Sequence, residues 1–239
     1  MSKQFRVAVN LAPALATIVL ALVALAGPEL LPAQGGGEPQ APAAAEPAGT
    51  GDTGVPGERV DVFTGGLEAA VERATRTPES WDYDPDERVI HPEEADLHYP
   101  VDLPESAWRE LLAPSEFYIL RQKGTEPAFT HPLNDNDQAG IYYSRATGQP
   151  LFRSEDKYDS RSGWPSFTRP INPDAIVYIG DNSLFMLRIE VVDSLSGSHL
   201  GHVFADGPQP TGQRYCINGA ALVFVPYGEE PPEIRTAAP

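Results

Sequence analysis

Beyond Gly140 the apolar residues of this chain come in short bursts of β-branched and aromatic side chains: Ile141 to Tyr143, Ile176 to Ile179, Leu184 to Val192, Val203-Phe204 and Ala221 to Val225. Clusters of Gly, Pro, Asn and Asp separate them, which is the punctuation of strands and turns. Gly180-Asp181-Asn182-Ser183 predicts a hairpin turn between two of the strands. No alternation of strand and helix repeats, so nothing predicts a parallel sheet. The expected class is mainly β, with antiparallel sheets preceded by short helices. Of those helices, Leu67 to Arg76 has helical spacing but polar and Pro-rich flanks, which fits a docking helix or nascent structure. Asp102 is the expected N-cap of a second helix that presents Trp108, Leu111 and Leu112 on one face. Pro114 should break that helix, and Ser115 should cap a third that carries Phe117, Ile119 and Leu120.

The flanks of this β region are of another kind. Lys3 and Arg6 precede an uncharged, apolar stretch from Leu11 to Ala26, and Ala24-Leu25-Ala26 before Gly27 has the form of a cleavage site. Residues 1–26 therefore read as a cleaved signal peptide or an uncleaved membrane anchor, the apolar run being short of the ~20 residues that span a bilayer. Either places the chain outside the cytoplasm, periplasmic or extracellular. Residues 27–58 are dominated by Ala, Pro, Gly and Glu and read as a disordered linker. An acidic extension follows over 59–98, then a domain over 99–228 and a tail over 229–239 that is expected to fray. The formal charge of −17 argues against nucleic-acid binding, which needs a basic stripe.

One cysteine stands in 239 residues. Cys216 can form neither an intramolecular disulfide nor a multi-cysteine zinc site, which leaves a small buried hydrophobe or a reactive thiol. His199, His202, Asp206 and Asn218 lie close in sequence and favour the second, and Arg214 shares a face with Cys216 if this segment is a strand. Zinc held by Cys216, both histidines and Asp206 is a weaker reading of the same residues. Three-residue spacing of the histidines suits a helix better than a strand, yet Gly201 interrupts the pair. Upstream, Ser162 to Phe167 sets Trp164 and Phe167 around a Gly-Pro kink. That fits core packing, or an apolar ledge for a methyl or thioether group.

Five ordered motifs carry a resemblance: Trp108 to Leu112, Leu120 to Phe129, Gly163 to Phe167, His199 to Phe204 and Arg214 to Asn218. Together they resemble the methionine-R-sulfoxide reductases, the MsrB family, from about Tyr99 to Pro226. The resemblance implies that family's β fold and a peptide-methionine (R)-S-oxide reductase. It also implies Cys216 as the nucleophile that is left as a sulfenic acid, with His199, His202, Asp206 and Asn218 binding or protonating the sulfoxide oxygen. Trp164 would pack on the substrate methyl group, with Phe167 and Arg214 completing the substrate site. The expected substrates are oxidised proteins or free methionine-R-sulfoxide.

The sequence also departs from that family. Many members bind structural zinc through two Cys-x-x-Cys pairs; here Ser144, Thr147, Asp193 and Ser196 stand at those positions, so no structural metal and no other cofactor is expected. Ser162 stands where many members have a resolving cysteine. A sulfenic acid on Cys216 then has no internal thiol to meet, and a thioredoxin-like protein or a small thiol must regenerate it. Two other classes remain open at this level: a non-catalytic module that binds oxidised or apolar segments through Trp164, and a zinc-dependent hydrolase.

Overall fold

The computed structural model describes residues 58–62, 66–76, 84–91, 95–183 and 188–236, all within one unit, residues 53–239. The signal or anchor segment and nearly all of the linker lie outside the described residues, as do positions 184–187 of the third predicted strand. No helix among the described residues is long and apolar enough to cross a membrane.

In chain order the described elements are β1 (Glu58–Asp61), α1 (Gly66–Thr75), β2 (Val89–Ile90), β3 (Ala95–His98), α2 (Glu105–Leu111), α3 (Pro114–Gln122), β4 (Gly140–Ser144), β5 (Pro150–Arg153), β6 (Lys157–Tyr158), β7 (Ser166–Phe167), β8 (Ile176–Asp181), β9 (Arg188–Asp193), β10 (His199–Phe204), β11 (Arg214–Ile217) and β12 (Leu222–Pro226). Seven strands form the main sheet in the order β2-β8-β9-β10-β11-β7-β6, and β12-β4-β5 form a second. Both are antiparallel except where β2 joins β8.

The two sheets meet through aromatic rings, because alternate residues of each strand face inward. Phe152 of β5 stacks on Phe167 of β7 at 4.4 Å between centroids, and Tyr142 of β4 meets Phe167 edge-on at 5.0 Å. Tyr215 of β11 and Tyr178 of β8 extend the cluster, and their buried hydroxyls satisfy each other at 2.8 Å. Removing a ring such as Phe152 should cost roughly 3–5 kcal/mol.

The helices start elsewhere than their sequence signals suggest, α2 later and α3 earlier. Pro104, extended and without a side-chain cap, precedes α2, so Asp102 lies outside the helix. Pro114 begins α3 rather than only ending α2; a proline at the first helical position gives up an N–H that would have no partner. Ser115 is inside that helix, and the capping contact comes instead from Glu116, whose carboxylate accepts the Ala113 N–H at 2.9 Å. The helix closes on Lys123, held in the left-handed conformation at φ 55°.

Two further expectations need correction. Parallel pairing does occur, between β1 and β3 and between β2 and β8, and both pairs involve the extension before residue 99. That extension is docked: α1 buries Ala70 and Ala74. Asn172 donates to the Arg73 and Arg76 carbonyls at 2.7 and 2.6 Å. Arg76 and Arg88 both pair with Asp174. The tail does not simply fray either. Arg235 donates its backbone N–H to the Thr147 carbonyl at 2.7 Å and its side chain to the Ala146 carbonyl at 2.8 Å, while Ile234 packs on the core.

Candidate active site

Strand register builds the site. On β11, Tyr215 and Ile217 face the core, which leaves Arg214 and Cys216 on the opposite face. Cys216 pairs with His202 of β10 on one side and with Ser166 of β7 on the other. His202 in turn pairs with Glu190 of β9. One row across the sheet therefore reads Glu190, His202, Cys216, Ser166.

His199 joins that row through a defect in the ladder. In a regular strand, residues three apart point to opposite faces. Here His199 pairs with Val192 while Gly201 pairs with Val191, so Leu200 is an extra residue and the strand bulges. The bulge turns His199 to the same side as His202, with ring centroids 5.4 Å apart and the rings nearly perpendicular. Gly201 permits the close approach of β11, because a Cβ there would strike the Cys216 carbonyl.

Each imidazole has a carboxylate partner. His199 Nδ1 lies 2.7 Å from Glu190 Oε1, and His202 Nε2 lies 2.9 Å from Asp181 Oδ2. Arg188 holds that same Asp181 oxygen at 2.6 Å. Burial pushes the Asp181 carboxyl up, but bonds from Ser183 and His202 and the Arg188 charge outweigh it and keep it well below the usual range. Burial pushes the His202 imidazole down and Asp181 only partly restores it, with Arg188 opposing.

The thiol of Cys216 is half-buried. Burial pushes it up; the Ser162 hydroxyl, 3.9 Å from Sγ, and the Arg214 guanidinium pull the other way. Ser162 belongs to a hydroxyl cluster in which Ser160 sits 2.8 Å from Ser162 and 2.7 Å from Ser166. Arg214 is clamped by Asp206 through two bonds of 2.8 and 2.9 Å and lies over the Phe204 ring at 4.4 Å. A cleft of about 450 Å³, lined by Tyr158, Ser162, Asp206 and Arg214, opens beside this group.

The remaining residues divide. Trp164 is half-buried, and its indole N–H donates to the Glu126 carbonyl at 3.0 Å, so its orientation is fixed. Phe167 points the other way, fully buried in the aromatic core, which corrects its assignment to the substrate site: in β7 it stands next to Ser166, and adjacent strand residues take opposite faces. Asn218 is buried with both polar ends on backbone. Its Oδ1 accepts the Glu126 N–H at 3.1 Å and its Nδ2 donates to the Leu200 carbonyl at 3.0 Å. Since Leu200 is the bulged residue, Asn218 holds the histidines together rather than facing the cleft. Asp206 is largely exposed and acts through Arg214. Sequence reasoning missed Glu190, Asp181 and Glu126. Asp181 lay in the predicted hairpin turn and Glu126 in a family-like motif, and Glu126 accepts the Gly219 and Ala220 N–H groups at 2.6 and 2.9 Å.

Comparison with known proteins agrees with this architecture. A family model, the SelR domain, matches residues 112–226. The chain is 52% identical over 124 residues to the peptide methionine sulfoxide reductase MsrB of Methanosarcina mazei, covering 52% of this chain and 89% of that protein. It is 48% identical over 128 residues to the MsrB of Leptospira interrogans, covering 54% of this chain and 98% of that one. The chain belongs to the MsrB family of methionine-R-sulfoxide reductases. It also matches the longer MsrA/MsrB protein of Vibrio cholerae, 50% identical over 121 residues, which are 51% of this chain and 32% of that protein.

Many MsrB proteins hold zinc where this chain has Ser144, Thr147, Asp193 and Ser196, and the fold brings those four positions together. Asp193, fully buried, is the hub. Its Oδ2 accepts from Thr147 Oγ1 at 2.6 Å, and its Oδ1 accepts from Gln149 Nε2 at 2.8 Å, Leu195 N at 2.8 Å and Ser196 N at 3.1 Å. Ser144 Oγ accepts the Ala146 and Thr147 N–H groups at 3.2 Å, and Ser196 donates to Ser198. These side chains do not fit the ion: structural zinc wants thiolates or imidazoles, and the oxygens present are already committed to N–H and O–H donors. No group of three His, Cys, Asp or Glu among the described residues is placed to hold a metal, Cys216 with the two histidines included.

Proposed function

We propose that this MsrB reduces methionine-R-sulfoxide with Cys216 as its one redox centre. The observation that carries the reading is the register pair of Cys216 and His202, with the bulge bringing His199 alongside. A sulfoxide oxygen leaves only when protonated, so a thiolate and an imidazolium must act on one S–O bond. The net step is balanced: thiolate, sulfoxide and one proton become a sulfenic acid and a thioether. Cys216 sulfur loses two electrons, the sulfoxide sulfur gains them, and the oxygen moves from one to the other. General acid help of this kind is worth about 10²–10⁴ in rate.

Trp164, its indole edge tied to Glu126, offers a fixed aromatic face for the substrate's S-methyl group. Arg214, clamped by Asp206, lends positive charge to the thiolate. No internal thiol is present to reduce the sulfenic acid. An external thiol, small or carried by a thioredoxin-like protein, attacks its sulfur and releases water, and a second thiol equivalent then frees Cys216. The buried hydrogen-bond hub at Asp193 supports a metal-free enzyme. The apolar segment before Gly27 supports export to the periplasm or the cell exterior, with or without a retained anchor.

Turnover is tested with peptides that carry either sulfoxide epimer, with dithiothreitol as reductant. The R epimer alone should be reduced, with full loss in Cys216→Ser and no effect of chelator. Equal reduction of both epimers, or activity surviving Cys216→Ser, would contradict the assignment.

A further inference from the structure

We infer that Glu190 and Lys123 are positioning residues for His199, a carboxylate and a cation that fix which ring nitrogen the imidazole leaves free. The inference rests on the reductase reading above for its effect on rate. Glu190 stands in the middle of a covered sheet, its side chain only 3% exposed, and its two oxygens have separate partners. Oε1 meets His199 Nδ1 at 2.7 Å and Oε2 meets Lys123 Nζ at 2.7 Å. Lys123 is 66% exposed and reaches inward from the left-handed residue that ends α3. Lys123 lies in the Leu120 to Phe129 motif but Glu190 in none of the five, and neither lines the cleft beside Cys216.

A buried carboxylate is costly unless it is paired. Burial pushes Glu190 up, yet His199 and Lys123 together hold it below the ordinary carboxylate range, so it stays an acceptor. Its acceptance at Nδ1 sets the tautomer: the proton sits on Nδ1, and Nε2 is the nitrogen left for the substrate. Nε2 carries a proton only in the imidazolium. Lys123 holds the second Glu190 oxygen and so fixes the carboxylate against the ring.

Other charged and titratable groups frame the same place. His202 with Asp181 and Arg188 lies on one side and Cys216 beyond it. Tyr99 and Arg121 approach from the helical side, Tyr99 pushed up by its own burial and by Glu190 and Asp193. Arg121 donates to the Ser196 carbonyl and the Ser198 hydroxyl. All of these are the same in both variants below, so the contrast isolates Glu190 and Lys123.

The test compares the full chain with Glu190→Gln and Lys123→Met, using nitrogen-15-labelled histidine. NMR of the parent should show His199 with its proton on Nδ1, and Glu190→Gln should release it to a mixture of tautomers. Turnover should fall about tenfold or more in Glu190→Gln at neutral pH and by a smaller factor in Lys123→Met. Lys123 is exposed, so its variant folds whatever Glu190→Gln does. A His199 ring that keeps its parent tautomer in Glu190→Gln, or turnover unchanged in both variants, would overturn the inference. A parent that keeps the Nδ1 tautomer but reduces neither epimer would support the positioning and sink the reductase reading alone.

Discussion

Replacing Asp193 by alanine tests whether hydrogen bonds do the work of the missing metal ligands. The carboxylate accepts four donors in a fully buried site, from Thr147, Gln149, Leu195 and Ser196. Two of these can find other partners: the Thr147 hydroxyl rotates, and Gln149 already donates to the Ala175 carbonyl at 3.1 Å. The Leu195 and Ser196 N–H groups cannot move without breaking the turn. Two stranded buried donors cost about 1–3 kcal/mol each. Some of this is offset because a buried charge disappears; burial alone pushes Asp193 up. The expected net loss is about 3–4 kcal/mol, or roughly 10 °C in Tm for a domain of this size. Urea titrations of parent and variant, fitted with a common slope, measure it. Asp193→Asn, which keeps one carbonyl oxygen for the turn, should lose about half as much. If the proposed metal-free reading holds, chelator should leave the parent's midpoint in place. A loss under about 1 kcal/mol for Asp193→Ala, or a chelator-sensitive parent, would refute the reasoning.

Two further expectations concern the reaction. Burial holds the Cys216 thiol above its ordinary range and the His202 imidazole below its own, so the thiolate–imidazolium pair is a minor form at neutral pH. The kcat/KM profile should then be a broad bell, its acidic limb below the ordinary histidine value and its alkaline limb above the ordinary thiol value; a bell narrower than those two values would contradict the shifts. Separately, Ser162→Cys places a thiol where an oxygen now lies 3.9 Å from Sγ. One turnover without reductant should leave the variant with an internal disulfide and no free thiol, whereas a variant that stops at the sulfenic acid would show the two side chains do not meet.

Much of the fold could be read from the spacing of apolar bursts, and the candidate nucleophile from a lone cysteine set among the family-like motifs. What escaped was orientation. His199 and His202 are three apart, a separation that in a flat strand would put them on opposite faces, and only the extra residue at Leu200 reconciles it. A bulge leaves no mark in composition. Phe167 was grouped with Trp164 because both flank one kink, yet the pleat sends it inward. Asn218 belonged to the right motif but serves the Leu200 carbonyl, a contact between strands that pairing alone reveals. Glu190 and Asp181 lie 9 and 21 residues from the histidines they hold, and register, not local sequence, brings them there. Helix starts were misjudged where Asp102 and Ser115 offered caps that Pro104 and Ala113 made unnecessary.

The short strand β2 has a consequence apart from catalysis. It lies along the outer side of β8, where an uncovered row of N–H and C=O groups would be a template for another chain. Docking of α1 and the Arg88 to Asp174 bridge hold that cover in place. A version trimmed back to residue 99 would retain the whole cleft and lose its blunted edge, and its failure in a test tube would be turbidity before it was inactivity.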